Sequence, residues 1–330
     1  MDTAVKIRGV NAQQRFVIDE ESKVGEARRA AQALASFALS AELAGKVAIA
    51  ATELARNLLL HARAGELLMQ RLDDGDHTAI ELLSIDRGPG MRNVALCMED
   101  GYSTAGTLGA GLGAVRRLAG EFDIHSTPGQ GTIVLARFGD ILPLRFGAVS
   151  VPVEGELECG DTWHLEHRGD ETALLVVDGL GHGPFAAEAA RAAAGAFEAA
   201  PFEQPQDVMA RANGPLSKTR GAAAACARLS GNRVSYAGVG NISGALVSHE
   251  KSQGLVSHSG TLGVNQKRAQ QFEYTRDRGA LLVMHTDGIS ARWDLKNRPD
   301  VLVRHPAIIA AMLYRDHARG RDDVTVVVVA

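Results

Sequence analysis

The chain has 330 residues, 45% apolar and 22% charged, the balance of a globular protein with enough apolar material for two buried cores. Its 35 Lys and Arg against 39 Asp and Glu leave a formal net charge of −4, which argues against a protein built mainly to grip nucleic acid. Three far-apart cysteines, Cys97, Cys159 and Cys226, exclude a disulfide framework and a thiolate zinc site. No apolar run reaches the length of a membrane span and no signal-peptide stretch opens the chain, so the expected location is the cytoplasm.

Small and apolar residues recur every three or four positions over residues 22–64, the period of a helix. In ATELARNLLLHA, Glu53 and Asn57 are four apart and share a helix face, with His61 one turn further on. Taken alone, that pair reads as the polar stripe of a solvated helix. Strands are expected at 78–85 and 131–138. The first leads into SIDRGPGM, where Asp86 is followed by Gly88, Pro89 and Gly90, the punctuation of a turn. GTLGAGLGAVRRL then leads into a helix over 113–120. Its Gly109, Gly111 and Gly113 would let backbone N–H groups approach phosphate oxygens at the helix N-terminus. The same run fits the dinucleotide fingerprint G-x-G-x-x-A, but the preceding DGYSTAGT is loop-like where that fold requires a strand. A Walker A loop is absent.

In this order, TELARN, DRGPGM, GYSTAGTLGAGLGAVRRL and STPGQGTIV resemble the ATP-binding domain shared by gyrase, Hsp90, histidine kinases and MutL, the GHKL class. Within that class they are most similar to the small anti-sigma-factor serine kinases, over about residues 22–138. The resemblance implies a Bergerat-type α/β sandwich that binds ATP and Mg²⁺. It implies that Asp86 accepts the adenine amino group, that Gly88 and Gly90 admit the base, and that Thr132 lies near it. Gly109, Gly111 and Gly113 would cradle the phosphates, and Asn57 would supply an oxygen to Mg²⁺. Glu53 would be the general base that takes the proton from an attacking Ser or Thr hydroxyl, a role that needs hydrogen-bond reach of the nucleophile. Histidine-kinase activity fits poorly, because no histidine precedes His61 to act as phosphoacceptor.

Residues 139–147, containing Pro143, read as a short linker, so the expected domains are 1–140 and 145–330. Beyond it, strands are expected at 162–167, 172–177, 222–229, 233–237, 280–285 and 324–329, with alanine-rich helices at 184–200 and 205–216. Gly169-Asp170 is a two-residue hairpin signal. Centred there, the register sets Trp163 opposite Val176, Leu165 opposite Leu174, and Asp161 opposite Asp178. Two facing carboxylates are either solvated turn aspartates or joint ligands of a cation. Asp287 follows one strand, and Asp322 and Asp323 precede another. Four acidic positions at strand ends with no cysteine nearby describe an all-oxygen site for Mg²⁺ or Mn²⁺. His182 reads as a loop residue that shapes the turn after Asp178.

GDTW, VVDGLGHG, TRGAAAA, YAGVGNIS, HSGTLGV, MHTDGIS and RGRDDVTVVVV resemble the metal-dependent protein phosphatase 2C class over residues 149–330. The closer match is to the bacterial branch with the sporulation stage II phosphatase and the small general-stress phosphatase. That resemblance implies an α-β-β-α sandwich holding two Mn²⁺ or Mg²⁺ ions. Asp161, Asp178, Asp287, Asp322 and the Gly179 carbonyl would be the ligands, with Asp178 bridging, Asp161 acting through metal-bound water, and Asp323 standing behind. Asp161 and Asp178 would thereby be catalytic. The whole chain is thus expected to be α+β, a serine/threonine kinase fused to a serine/threonine phosphatase in a bacterial partner-switching pathway. Its expected partner is a STAS-type anti-anti-sigma or scaffold domain, in a pathway that governs a sigma factor or signalling complex. A different class of reading is an ATP-sensing binding module, anti-sigma-like and without kinase activity, fused to an active phosphatase.

Overall fold

The computed structural model describes residues 5–9, 13–73, 76–98, 111–140, 144–264 and 269–330. The chain divides into two compact units, Gly9–Pro143 and Leu144–Ala330, the second also taking in the residues before Gly9. The opening strand β1 (Val5–Gly9) accordingly pairs in the second unit.

The first unit runs β2 (Gln14–Ile18), α1 (Glu21–Ser36), α2 (Ala41–Asn57), β3 (Gly65–Asp73), β4 (Thr78–Asp86), α3 (Val94–Cys97), α4 (Gly111–Leu118), β5 (Glu121–Thr127) and β6 (Gly131–Gly139). Its strands form an antiparallel sheet in the order β2-β3-β4-β6-β5. Val24, Ala27, Ala31 and Ala35 of α1 and Val47, Ala51 and Leu54 of α2 share one core with Leu67, Met69, Ile80, Leu82, Val134, Ala136 and Phe138. The strand members of that list alternate, so a single face of the sheet carries the helices. This is the expected α/β sandwich. The periodicity over 22–64 is split by Ser40, whose Oγ accepts from the Leu43 N–H at 3.3 Å and caps α2. A π-helical turn, Leu58–Ala62, extends α2 and stops at Arg63, which has φ +67°. β3 has no strand signature in the sequence, because Leu67, Leu68, Met69 and Leu72 are all buried, which erases the alternation a half-buried strand would show.

The second unit continues with β7 (Phe146–Val151), β8 (Asp161–Arg168), β9 (Glu171–Gly179), α5 (Pro184–Ala199), α6 (Pro205–Leu216), β10 (Ala222–Ser230), β11 (Arg233–Val239), β12 (Ser243–Val247), β13 (Ser252–Leu255), β14 (Ser257–His258), β15 (Gln271–Thr275), β16 (Leu281–His285), α7 (Pro299–Leu302), α8 (Pro306–His317) and β17 (Val324–Val329). One sheet has the order β1-β8-β9-β10-β11, with β14 and β15 both on β11. The other is β13-β12-β16-β17-β7. Alanines of α5, with Val208 and Met209 of α6, pack on Leu175, Val177, Ala224 and Cys226 of the first sheet. α8 lies on β7 and β17 of the second, giving the expected α-β-β-α sandwich.

Two sequence expectations differ here. Phe146 and Gly147, read as linker, begin β7. A Cβ on Gly147 would stand 2.1 Å from Ala307 Cα, so glycine is what lets α8 sit on that strand. α8 has no periodic signature in the sequence, because Ala307 to Leu313 are buried all round and leave no polar face to mark a helical period.

Candidate functional site

In the first unit, Asp86 closes β4, and its Oδ1 accepts from the Gly88 N–H at 2.7 Å and the Thr132 N–H at 3.1 Å. Two glycines make this possible. Gly131 has φ +90°, and a Cβ there would lie 2.1 Å from the Asp86 carbonyl oxygen. Gly90 has φ +66°, and its Cβ would lie 2.2 Å from the Thr127 carbonyl oxygen. The two turns are tied by the Gly129 N–H donating to the Pro89 carbonyl at 2.7 Å. Ser126 Oγ, 2.9 Å from Thr132 Oγ1, accepts from the Met91 N–H at 2.8 Å.

Asp86, Gly90 and Thr132 line a cavity of about 430 Å³ together with Asn57, Gly111 and the apolar Leu54, Leu58, Leu112 and Val134. Its size and its mostly apolar wall with few polar groups suit a small organic ligand. Gly88 lies just behind, where a Cβ would stand 2.9 Å from Ala62 Cα. Glu53 and Asn57 face the start of α4, since a Cβ built on Gly111 would lie 3.5 Å from Asn57 Oδ1 and 3.8 Å from Glu53 Oε2. Gly113 is buried within the first turn of α4. Gly109 lies outside the described residues. The donor set fits a magnesium nucleotide on a specific observation: the buried Asn57 Nδ2 has no hydrogen-bond partner among the described residues. An amide N–H left unpaired among the described residues at a cavity wall, beside the start of α4, is a ready donor to a phosphate oxygen.

In the second unit the β8–β9 ladder has the register read from sequence, with Trp163 opposite Val176, Leu165 opposite Leu174 and Asp161 opposite Asp178. Gly169 has φ +60°, suited to the first position of a two-residue hairpin turn. Asp161 is buried and accepts from Thr286 Oγ1 at 2.7 Å. Thr286 follows β16, so this bond joins the two sheets. Burial, then the facing charge of Asp178, pushes the Asp161 carboxyl well above the usual carboxylate range. Burial first, then the charges of Asp287 and Asp322, pushes Asp178 up to about 7. Burial also raises Asp322 and Asp323. Asp287 Oδ2 accepts from Asn241 Nδ2 at 2.6 Å. Asp323 accepts from the Val153 and Gly160 N–H groups, both at 2.7 Å, and so fixes the loop that feeds Asp161 into β8. Gly179, whose N–H donates to the Gly160 carbonyl at 3.0 Å, leaves no room for a Cβ, which would lie 2.1 Å from the Ala186 carbonyl oxygen.

Asp161, Asp178, Asp287 and Asp322 form no ion pair with a basic side chain among the described residues. That is the chemistry of an oxygen-ligand site awaiting positive charge. No three Asp, Glu, His or Cys side chains among the described residues enclose an ion by themselves. A hydrated Mg²⁺ or Mn²⁺, held by one or two carboxylates, a carbonyl and waters, suits such a spread set. Sequence reasoning overlooked Thr286 and Asn241. Each sits beside a recognised motif, but nothing local shows that its side chain crosses to a carboxylate on another element.

A two-layer ATPase-type sandwich followed by an α-β-β-α phosphatase-type sandwich defines the class: a GHKL domain and a protein phosphatase 2C-like domain in one chain. Residues 17–138 match the family described as "Histidine kinase-like ATPase domain", and residues 168–330 match "Stage II sporulation protein E (SpoIIE)". "Serine/threonine-protein kinase RsbT" of Bacillus subtilis (strain 168) is 40% identical over 91 residues, 28% of this chain and 68% of that protein. The chain therefore belongs to the RsbT family of histidine kinase-like ATPase domains, and it carries a SpoIIE-type phosphatase domain in the same polypeptide. Among solved structures, one described as "The bacterial stressosome: a modular system that has been adapted to control secondary messenger signaling" is 27% identical with a TM-score of 0.53, covering 57% of this chain and 100% of that one. RsbX in complex with magnesium is 24% identical with a TM-score of 0.49, covering 55% of this chain and 92% of that one. No helix among the described residues is long and apolar enough to cross a membrane.

Proposed function

We propose that the chain is a bifunctional regulator in a bacterial partner-switching pathway. Its first unit phosphorylates a Ser or Thr of a STAS-type anti-anti-sigma or scaffold domain with ATP, and its second removes phosphate from phosphoserine or phosphothreonine proteins. The observation that carries the kinase half is the placement of Glu53 and Asn57 together against the start of α4, where Asn57 and Gly111 line the cavity that Asp86 also lines and Glu53 stands beside them. A pure nucleotide binder has no use for a carboxylate there.

In this reading Asp86 orients the adenine, and the first-turn N–H groups of α4 with Gly111 and Gly113 receive the phosphates. Asn57 turns its oxygen to Mg²⁺, which neutralises phosphate charge when bound. Glu53 Oε2 takes the proton from the incoming hydroxyl. In the second unit, Asp161, Asp178, Asp287, Asp322 and the Gly179 carbonyl would hold two Mg²⁺ or Mn²⁺ ions. Such a pair supplies an ionised water near neutral pH and neutralises a phosphoryl group under attack. Thr286 and Asn241 hold Asp161 and Asp287 in place for it. RsbT is a serine/threonine-protein kinase by name, and the stressosome likeness points to the same kind of signalling assembly.

The test uses the full chain with γ-labelled ATP, Mg²⁺ and purified candidate STAS domains. Label should appear on a STAS Ser or Thr, and should be released as inorganic phosphate when ATP is removed and Mn²⁺ is supplied. ATP binding without transfer to any candidate, alongside phosphate release from a pre-phosphorylated one, would select the other reading, a nucleotide-sensing module joined to an active phosphatase.

A further inference from the structure

Arg220 lies outside the ligand set above and borders the turn that follows Asp178. Its guanidinium carbon sits 4.8 Å from the centre of the Phe185 ring, a cation–π stack. A Cβ built on Gly181 would lie 3.2 Å from Arg220 Nη1, so the guanidinium borders the Gly179-Leu180-Gly181 turn that follows Asp178. That turn is pinned to the arginine's own segment by the Leu180 N–H, which donates to the Gly221 carbonyl at 3.0 Å.

The backbone under Arg220 is fixed. Thr219 Oγ1 donates to the Leu216 carbonyl at 2.8 Å and accepts from the Gly221 N–H at 3.1 Å. Gly221 has φ +86°, and a Cβ there would meet the Leu262 carbonyl oxygen at 2.6 Å. Arg220 is exposed, and among the described residues it forms no ion pair. One face of its plane rests on an aromatic ring and the N–H edge is left over. Phe185 beneath it, Leu180 in the neighbouring turn and Val264 beside Gly221 are exposed to 61%, 52% and 58%.

We propose that Arg220, held on Phe185, is the cationic contact for the phosphomonoester oxygens of the substrate, and that Leu180, Phe185 and Val264 form the apolar rim on which the phosphorylated protein surface rests. This rests on reading the carboxylate cluster as a phosphatase centre and names what brings a dianion to it. A cluster of four carboxylates repels a phosphate dianion until positive charge lies beside it, and bound cations supply only part of that charge. A planar guanidinium offers paired N–H donors to two oxygens at once, and a stacked one has already lost much of its side-chain freedom. The contact is the same before and during phosphoryl transfer, so it acts on binding more than on turnover.

The experiment compares the full chain with Arg220→Gln, Arg220→Lys and Phe185→Leu, each checked by its thermal melt. With Mg²⁺ held constant, inorganic phosphate is titrated calorimetrically, and p-nitrophenyl phosphate hydrolysis is measured with phosphate as inhibitor. Arg220→Gln should weaken phosphate binding and raise KM by roughly tenfold or more, with the smaller change in kcat. Arg220→Lys should recover part of the loss, and Phe185→Leu should show a smaller loss of the same kind. Phosphate affinity unchanged in Arg220→Gln overturns the proposal, as does a loss confined to kcat. A full chain that hydrolyses no phosphomonoester refutes the phosphatase reading instead. The arginine contact then stands or falls on the phosphate titration alone.

Discussion

Asp161 faces Asp178 directly across the β8–β9 ladder, and Asp161 receives a hydroxyl from the opposite sheet, through Thr286. Two carboxylates so placed hold protons more tightly in the folded chain than in the unfolded one. The stability those protons give is fully present below the ordinary carboxylate range and is lost as pH rises through about 7, the value reached by Asp178.

A divalent cation substitutes for the protons where they have left. Mg²⁺ or Mn²⁺ should therefore raise the melting temperature of the full chain's second unit more at about pH 8 than at about pH 5.5. Asp178→Asn should shrink that difference. Equal metal-induced shifts at both pH values would separate these carboxylates from metal binding.

Asp86→Asn keeps an oxygen for the Gly88 and Thr132 N–H groups, so the local turn should survive while the charge is lost. ATP binding to the full chain should weaken by about 1.5–3 kcal/mol, the worth of a hydrogen bond to a charged group. Calorimetry giving wild-type affinity would remove Asp86 from the nucleotide site.

Glu53→Ala should bind ATP nearly as the parent does and transfer no phosphate to a STAS domain, because a general base acts in the transition state. Asn57→Ala should instead lose affinity for the magnesium nucleotide. Wild-type transfer rates in the Glu53 variant would place the base elsewhere.

Gly179→Ala puts a methyl group onto the Ala186 carbonyl at the start of α5. A clash of this size should cost about 1–3 kcal/mol or more and displace the turn after Asp178. Metal-dependent hydrolysis of p-nitrophenyl phosphate should fall sharply while ATP binding persists. Retained hydrolysis would mean that this turn is not part of the phosphatase centre.

Glu81 and Arg137 form a buried ion pair on neighbouring strands at 2.8 Å, and Arg137 also reaches Glu121 at 3.0 Å. Glu81→Leu leaves the buried guanidinium with less compensation. The first unit should lose about 3 kcal/mol, read as a lower midpoint in denaturant. An unchanged midpoint would show that the Glu121 contact suffices.

The sequence by itself determined the motifs that are local in the chain: the turn Gly169-Asp170 with the register that opposes Asp161 and Asp178, the shared helix face of Glu53 and Asn57, and the glycines around Asp86. Each follows from a short-range rule of period or turn geometry. The fold class was legible through the resemblance that these motifs, kept in order, carry to the GHKL and protein phosphatase 2C classes. Elements buried on every side, such as β3 and α8, carried no periodic contrast and were invisible until packed. The tertiary structure alone decided that Thr286 reaches Asp161 and Asn241 reaches Asp287. It also placed Asp323 under the loop before β8, and it paired β1 with β8. Those are contacts between residues from tens to well over a hundred positions apart, and such partners are chosen by how sheets stack and pair, which no local pattern encodes.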